Sequence, residues 1–277
     1  MTETNVTRAE TEVDGHRTSY LTVDRDGPVV LLLHGTYWSR VWQPVLDGLA
    51  DAGLRPVAVD FPGMGRSDGE LDPQTAAVPA LADWVGRFAA ALGITGPVGV
   101  AGHDIGGGVA QHLAVRGPLD VRRLALVNAV MFDSWPVPGV ARFRDPAVVA
   151  ATTPEDLLAS RREAVTTALG RAATEQLIDD YLEPWHDARV CRSWMAMAAA
   201  ADARFTTDLV PALEQSSLPK VLVWGEDDGF QKVEYAERFA AQIPHTGLVR
   251  IPGAGHLPME NEPGRVAGAL ADLFTTR

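Results

Sequence analysis

Apolar and polar positions along the chain follow a repeating order. "RTSYLTVD" (17–24) alternates weakly, the pattern of an antiparallel edge strand, and "PVVLLLHG" (28–35) is a continuous apolar run, the pattern of a strand covered on both faces. A helical period runs from Ser39 to Ala52. The strand "RPVAVD" (55–60), a glycine-rich loop "FPGMGRSDG" (61–69) and a helix with an apolar stripe around 77–92 come next. "GPVGVAGH" (96–103) reads as another buried strand, "IGGGVAQHLAVR" (105–116) as a helix and "RRLALVNAV" (122–130) as a strand. Strands alternating with helices in this way imply parallel strands joined by right-handed crossovers.

The alternation stops at the proline-rich stretch "FDSWPVPGVARFRDP" (132–146), and about 65 residues of helical period follow with no strand pattern among them. Helices are predicted over 154–169, 173–184, 188–201 and 207–215. Strand character returns at "KVLVWGEDD" (220–228), followed by a helix from Val233 to Ile243, the strand "LVRIPG" (248–253) and a final helix from Pro263 to Phe274. The predicted organisation is one α/β core built from residues 1–133 and 218–277, with a helical cap, 134–217, inserted between its halves.

Composition narrows the function. With 277 residues the chain is long enough for one large core. Its 24 basic and 36 acidic side chains give a net charge of −12, which opposes binding to nucleic acid or to anionic lipid. The single cysteine, Cys191, allows neither an intrachain disulfide nor a cysteine-based metal site, and no metal or cofactor is expected. The start, "MTETNVTRAETEVDGHR", has no apolar segment of the kind that directs secretion, and no run is long enough to span a bilayer, so a cytoplasmic location is expected. Lys220 and Lys232 are the only lysines, an arginine bias common in GC-rich bacterial genomes. The expected partner is a small-molecule substrate, and a homodimer is left open.

The chemistry centres on Gly102-His103-Asp104-Ile105-Gly106, a GxSxG-type turn with aspartate in the middle. A strand turning abruptly into a helix forces the central residue into a strained backbone and brings chains close, hence the glycines. The plainer alternative is an ordinary turn whose aspartate caps the helix. "LLLHG", "DFPGMGRSDG", the aspartate turn, "VLVWGEDD" and "IPGAGHLPMENEP" stand in the order and spacing of the α/β-hydrolase fold. Together they resemble its Asp-nucleophile branch, which holds epoxide hydrolases and haloalkane or haloacetate dehalogenases. The resemblance covers nearly all of the chain except the cap.

That resemblance implies Asp104 as nucleophile and His256 as base, with Asp228, rather than its neighbour Asp227, orienting the base. It further implies that the backbone amides of Thr36 and Ile105 form the anion hole. Some haloalkane dehalogenases place the acid after the strand matching "LALVN"; Asn128 stands there, which leaves Asp228, with Asp133 in reserve. His34, His103 and His112 read as structural or solvent-facing histidines. A carboxylate suits attack at a saturated carbon, because the resulting alkyl ester has its only carbonyl on the enzyme, where water activated by His256 can cleave it.

The chain also departs from these families. It carries "HGTY" where epoxide hydrolases usually have HGxP, and Ile105 where both families commonly have Trp. Haloacetate dehalogenases carry Arg at that position. With no side-chain N–H at Thr36 or Ile105 to hold a halide, and with phenols at Tyr37 and Tyr181 able to protonate an epoxide oxygen, an epoxide hydrolase is the expected activity. A dehalogenase is the alternative. An esterase or lactonase, or a non-hydrolytic biosynthetic protein of the same fold, stands further off. Trp38, Trp185, His186 and Trp194 complete the candidate substrate contacts.

Overall fold

The structure, a computed structural model, describes residues 5–276; residues 1–4 and 277, the outer ends of the two predicted core segments, lie outside the described residues. Eight strands form one sheet in the order β1-β2-β4-β3-β5-β6-β7-β8. They are β1 (Val6–Val13), β2 (His16–Val23), β3 (Val29–Leu33), β4 (Arg55–Val59), β5 (Val98–Asp104), β6 (Val121–Ala129), β7 (Lys220–Gly225) and β8 (Thr246–Ile251). β2 runs antiparallel to β1 and β4, and every other pairing is parallel. This is the mostly parallel sheet that the strand–helix alternation predicts.

The edge of that sheet differs from expectation. The segment 17–24 lies one strand in, and β1, which the apolar pattern did not reveal, takes the edge. β1 is mostly exposed, with only Val13 buried, so it has no apolar run to read. Its signal is the turn: Asp14 and Gly15 both have positive φ, 52° and 79°, as a tight hairpin with a right-handed twist requires.

The main helices of the core are α1 (Gln43–Asp51), α2 (Val78–Ala91) and α3 (Ile105–Arg116), joined later in the chain by α7 (Val233–Gln242) and α8 (Pro263–Thr275). α1 packs against α8 and α2 against α3. Strand β3 is fully buried at Leu31, Leu32 and Leu33, each such side chain worth about 1.5–3 kcal/mol relative to exposure. From β3 the chain crosses to β4 on one side and then back over β3 to β5 on the other. With right-handed crossovers this reversal puts α1 and α2 on opposite faces and opens a crevice beyond the carboxyl ends of β3 and β5. Gly35, Thr36 and Asp104 lie at those ends.

Between Ala129 and Lys220 the described residues contain helices and no strand. The longer ones are α4 (Pro154–Leu169), α5 (Glu175–Leu182) and α6 (Ala188–Ala200). The helix predicted over 173–184 starts later and ends at Leu182, with a tight 3-10 turn through Pro184. The one predicted over 207–215 is two short pieces, Arg204–Thr207 and Val210–Glu214, because Pro211 lacks the N–H that would continue the ladder. Likewise the predicted 39–52 helix begins as a 3-10 turn, Ser39–Trp42, before α1. No helix among the described residues is long and apolar enough to cross a membrane.

Candidate active site

Asp104 is the last residue of β5 and the residue before α3, with φ 52° and ψ −127°. Such a conformation is costly for a side chain larger than glycine and persists only when the surroundings enforce it. Here they do. A Cβ at Gly102 would sit 2.2 Å from the Gly106 carbonyl oxygen, and one at Gly106 would sit 2.3 Å from that of Leu33, so glycine alone lets the turn close. The carboxylate makes no bond to the first turn of α3, so the capping alternative is set aside. Its Oδ2 accepts instead from the Thr36 amide, 3.0 Å away, and from the Thr36 hydroxyl at 2.8 Å. The Ile105 amide makes no hydrogen bond to the carboxylate, although both lie against Gly35. Of the two expected amide donors, only Thr36 is engaged with Asp104.

His256 follows β8, and its Nδ1 lies 2.8 Å from Asp228 Oδ2 in a fully buried pair. Asp228 accepts three further hydrogen bonds: the amides of Phe230 and Gln231 hold Oδ1 at 2.7 and 3.0 Å, and Asn128 Nδ2 holds Oδ2 at 2.7 Å. Burial opposes ionisation of both partners. Nevertheless the neighbouring imidazole and these donors hold the Asp228 carboxyl below its ordinary range. Conversely the Asp228 charge and hydrogen bond, with Asp104 adding to them, lift the His256 imidazole above its ordinary range against the effect of burial. Asp227 is exposed. Asp133 pairs with Arg238 on the surface, away from this histidine.

Two other histidines are locked in neutral forms. His34 Nδ1–H donates to the Gly35 carbonyl at 2.8 Å, and its Nε2 accepts from the Phe61 amide at 3.0 Å. It thereby joins the β3 turn to the second residue after β4. His103 Nε2–H donates to the His256 carbonyl at 2.9 Å, which steadies His256 through its backbone. Burial pushes the His103 imidazole down to about 3. His112 is partly buried on α3.

A cavity of about 200 Å³ opens above Asp104 and His256. Thr36, Tyr37, Ile105 and Trp194 line it with them, as does Arg161 of α4. Four of the expected contact residues do not reach it. The Trp38 indole N–H donates to the Tyr181 carbonyl at 3.2 Å, and its ring lies against Arg8 and Arg66. The Tyr181 hydroxyl donates to Glu260 Oε1 at 2.8 Å, with Arg40 over its ring. Trp185 is packed behind Trp194, with ring centroids 6.0 Å apart, and His186 is exposed. Apart from Trp194, the aromatic candidates of the 134–217 segment are packing residues, in contacts that periodicity does not specify.

Trp135, Phe230, Gln231, Arg161 and Asn128 contribute to the site without having been singled out in the sequence. Arg161 falls on the apolar stripe of α4, between Leu157 and Val165 at four-residue spacing, and a charge in that stripe was the available signal. Asn128 was read only as a place where a carboxylate is lacking. In fact it holds Asp228 and also accepts from the Gly225 amide at 2.9 Å, tying β6 to β7 beneath the histidine.

Residues 30–269 match the model of the alpha/beta hydrolase family, and the chain belongs to that family. It is 27% identical to haloalkane dehalogenase 2 of Mycobacterium tuberculosis over 261 residues, covering 90% of this chain and 88% of that one. The crystal structure of haloalkane dehalogenase DbeA from Bradyrhizobium elkani superimposes with a TM-score of 0.80 at 25% identity, covering 97% and 98% of the two chains. The epoxide hydrolase CorEH gives a TM-score of 0.80 at 23% identity with the same coverage, a likeness of fold. The protein is a hydrolase of the α/β-hydrolase fold, with dehalogenases and an epoxide hydrolase among its structural neighbours.

Proposed function

We propose that this hydrolase cleaves a bond at a saturated carbon through an ester formed on Asp104. The observation that carries the reading is the state of that carboxylate: Oδ2 is held by Thr36 and the side chain caps nothing, which leaves Oδ1 to attack. An Oδ1 lone pair forms the C–O bond as the bond to the leaving group breaks, its electron pair departing with that group. Water then adds to the Asp104 carbonyl carbon while His256 Nε2 takes its proton, and the Thr36 amide faces the developing oxyanion. Collapse expels the alkoxide, which takes the proton from His256, and the Asp104 carboxylic acid left behind releases the water's second proton to solvent, which restores the carboxylate. Asp228, on Nδ1, keeps Nε2 turned to the water. The helices between β6 and β7 act as a cap in this scheme, because Arg161 and Trp194 roof the cavity.

The leaving group favoured is a halide. Trp194 lines the cavity and its indole N–H has no hydrogen-bond partner, whereas Tyr181, one of the two phenols that favoured an epoxide, is committed to Glu260. The full-length dehalogenase relative points the same way. Epoxide opening is the second reading, on one observation: Tyr37 lines the cavity, and burial lifts its phenol well above the usual range, so it holds its proton at neutral pH.

The test is a panel of bromo- and chloro-substituted substrates beside aryl and alkyl epoxides, with halide and diol assays. Asp104→Ala should abolish turnover of whichever class is active. His256→Gln should accumulate protein carrying the alkyl group on the Asp104 peptide, since its loss stalls the step for which general-base help is worth ~10²–10⁴-fold. An active Asp104→Ala variant would overturn the mechanism. Diol formation without halide release would select the second reading.

A further inference from the structure

The cavity contains a charge that the hydrolytic cycle does not use. Arg161 is 7% exposed, and no carboxylate among the described residues pairs with it, whereas the adjacent Arg162 is taken by Glu175 and Asp179. Its Nε–H donates to nothing. One terminal nitrogen reaches the Thr36 carbonyl at 3.4 Å, which is long for an N–H···O bond. The rings of Tyr37, Trp185 and Trp194 surround the guanidinium, with centroids 5.3, 4.9 and 5.2 Å from its carbon. Aromatic faces favour a cation without neutralising it, and the Tyr37 hydroxyl, within hydrogen-bonding reach of the guanidinium, is a neutral partner that leaves the charge unpaired. A buried charge is ordinarily paired, and the planar fork of an arginine matches the two oxygens of a carboxylate.

Thr36 fixes where such an anion would lie. Its carbonyl faces Arg161 while its amide holds Asp104 Oδ2, so the guanidinium and the nucleophile are one residue apart. An anionic substrate must also approach the negative charges of Asp104 and Asp228, and Arg161 is the cation on the cavity wall that offsets them. A cavity of about 200 Å³ is below the ~300–1,000 Å³ usual for ligand pockets, which favours a small molecule.

We infer that Arg161 is a carboxylate-binding residue, and that the substrate is a small carboxylic acid bearing its leaving group one or two carbons from the carboxylate. The position of the leaving group rests on the Asp104 ester reading; the carboxylate site does not. Binding of propionate and of propionamide, followed by tryptophan emission on the unmodified protein, tests the site without turnover. Propionate should bind at least tenfold more tightly. That preference should vanish in Arg161→Gln and persist in part in Arg161→Lys, with melting curves establishing that both variants are folded. Equal affinities, or a preference that survives Arg161→Gln, would overturn the inference. So would chloride displacing propionate at equal or lower concentration, which would give the guanidinium to a departing halide. In turnover, kcat/KM for chloroacetate relative to chloroacetamide should fall about 100-fold in Arg161→Gln. An Arg161-dependent propionate preference with neither compound turned over would keep the carboxylate site and remove the inferred halide one carbon from the carboxylate. Turnover of both with no carboxylate preference would remove the site and keep the Asp104 reading.

Discussion

Asp228 and Asn128 share one oxygen's neighbourhood: Asp228 Oδ2 accepts from His256 Nδ1 at 2.8 Å and from Asn128 Nδ2 at 2.7 Å. A carboxylate at either position is therefore placed beside the imidazole. Asp228→Asn should lower kcat by ~10³–10⁴-fold, the scale expected when a buried acid that orients a catalytic histidine is neutralised. Adding Asn128→Asp to that variant should recover at least tenfold, measured as kcat on a substrate the unmodified protein turns over. No recovery would mean that only the β7 side can orient the base. The exposed Asp227 should tolerate Asn with little change. At this scale the meeting of Asp104, His256 and Asp228 at one site was legible because each stands in a short motif at a strand end. Arg161 was not singled out: its place on the Leu157–Val165 stripe separates it from Arg162, but a stripe position specifies burial and not a cavity.

Elements explain why four aromatic or histidine candidates left the site. α5 ends where Tyr181 meets Glu260, and Arg40 bridges the same glutamate at 2.7 Å and Asp180 at 2.6 Å, so this cluster pins α5 to the core. Tyr181→Phe should cost about 1 kcal/mol in denaturant unfolding, the net worth of one hydrogen bond, and leave kcat within about twofold. A steep loss of activity at unchanged stability would return Tyr181 to the chemistry. Strands β3 to β8 and the helices of the core were visible as apolar runs and stripes, since burial on both faces or along one stripe imposes those patterns. The apolar pattern hid β1 for the converse reason: an exposed edge strand needs few apolar residues, so only its hairpin turn at Asp14-Gly15 marked it.

Across the whole molecule, buried histidines make stability depend on pH. His103, held down to about 3 by burial, stays neutral in the fold while the unfolded chain protonates near 6.5. The unfolded state thus binds more protons below that value, and stability falls as pH drops from about 6.5 towards 3. The loss is roughly 3 kcal/mol at pH 4 relative to pH 7, and His34, shifted in the same direction by burial, adds to it. His256 acts in the opposite sense: its contribution is full at pH values below the unfolded imidazole range and disappears as pH rises through its raised value. Urea unfolding at pH 7 and pH 4 should show the acid loss, and His103→Gln should remove much of it. An unchanged pH slope in that variant would place the dependence elsewhere. The sequence by itself determined the strand–helix alternation, and right-handed crossovers limit how such a chain can wind; the order of the strands, and with it the crevice at the ends of β3 and β5 where Thr36 and Asp104 meet, came from the tertiary structure. Only the tertiary structure decided which side chains of the 134–217 segment face that crevice. Helical periodicity specifies a buried face, but not whether it is buried against protein or against a cavity, and that difference separates Arg161 and Trp194 from Tyr181 and Trp185.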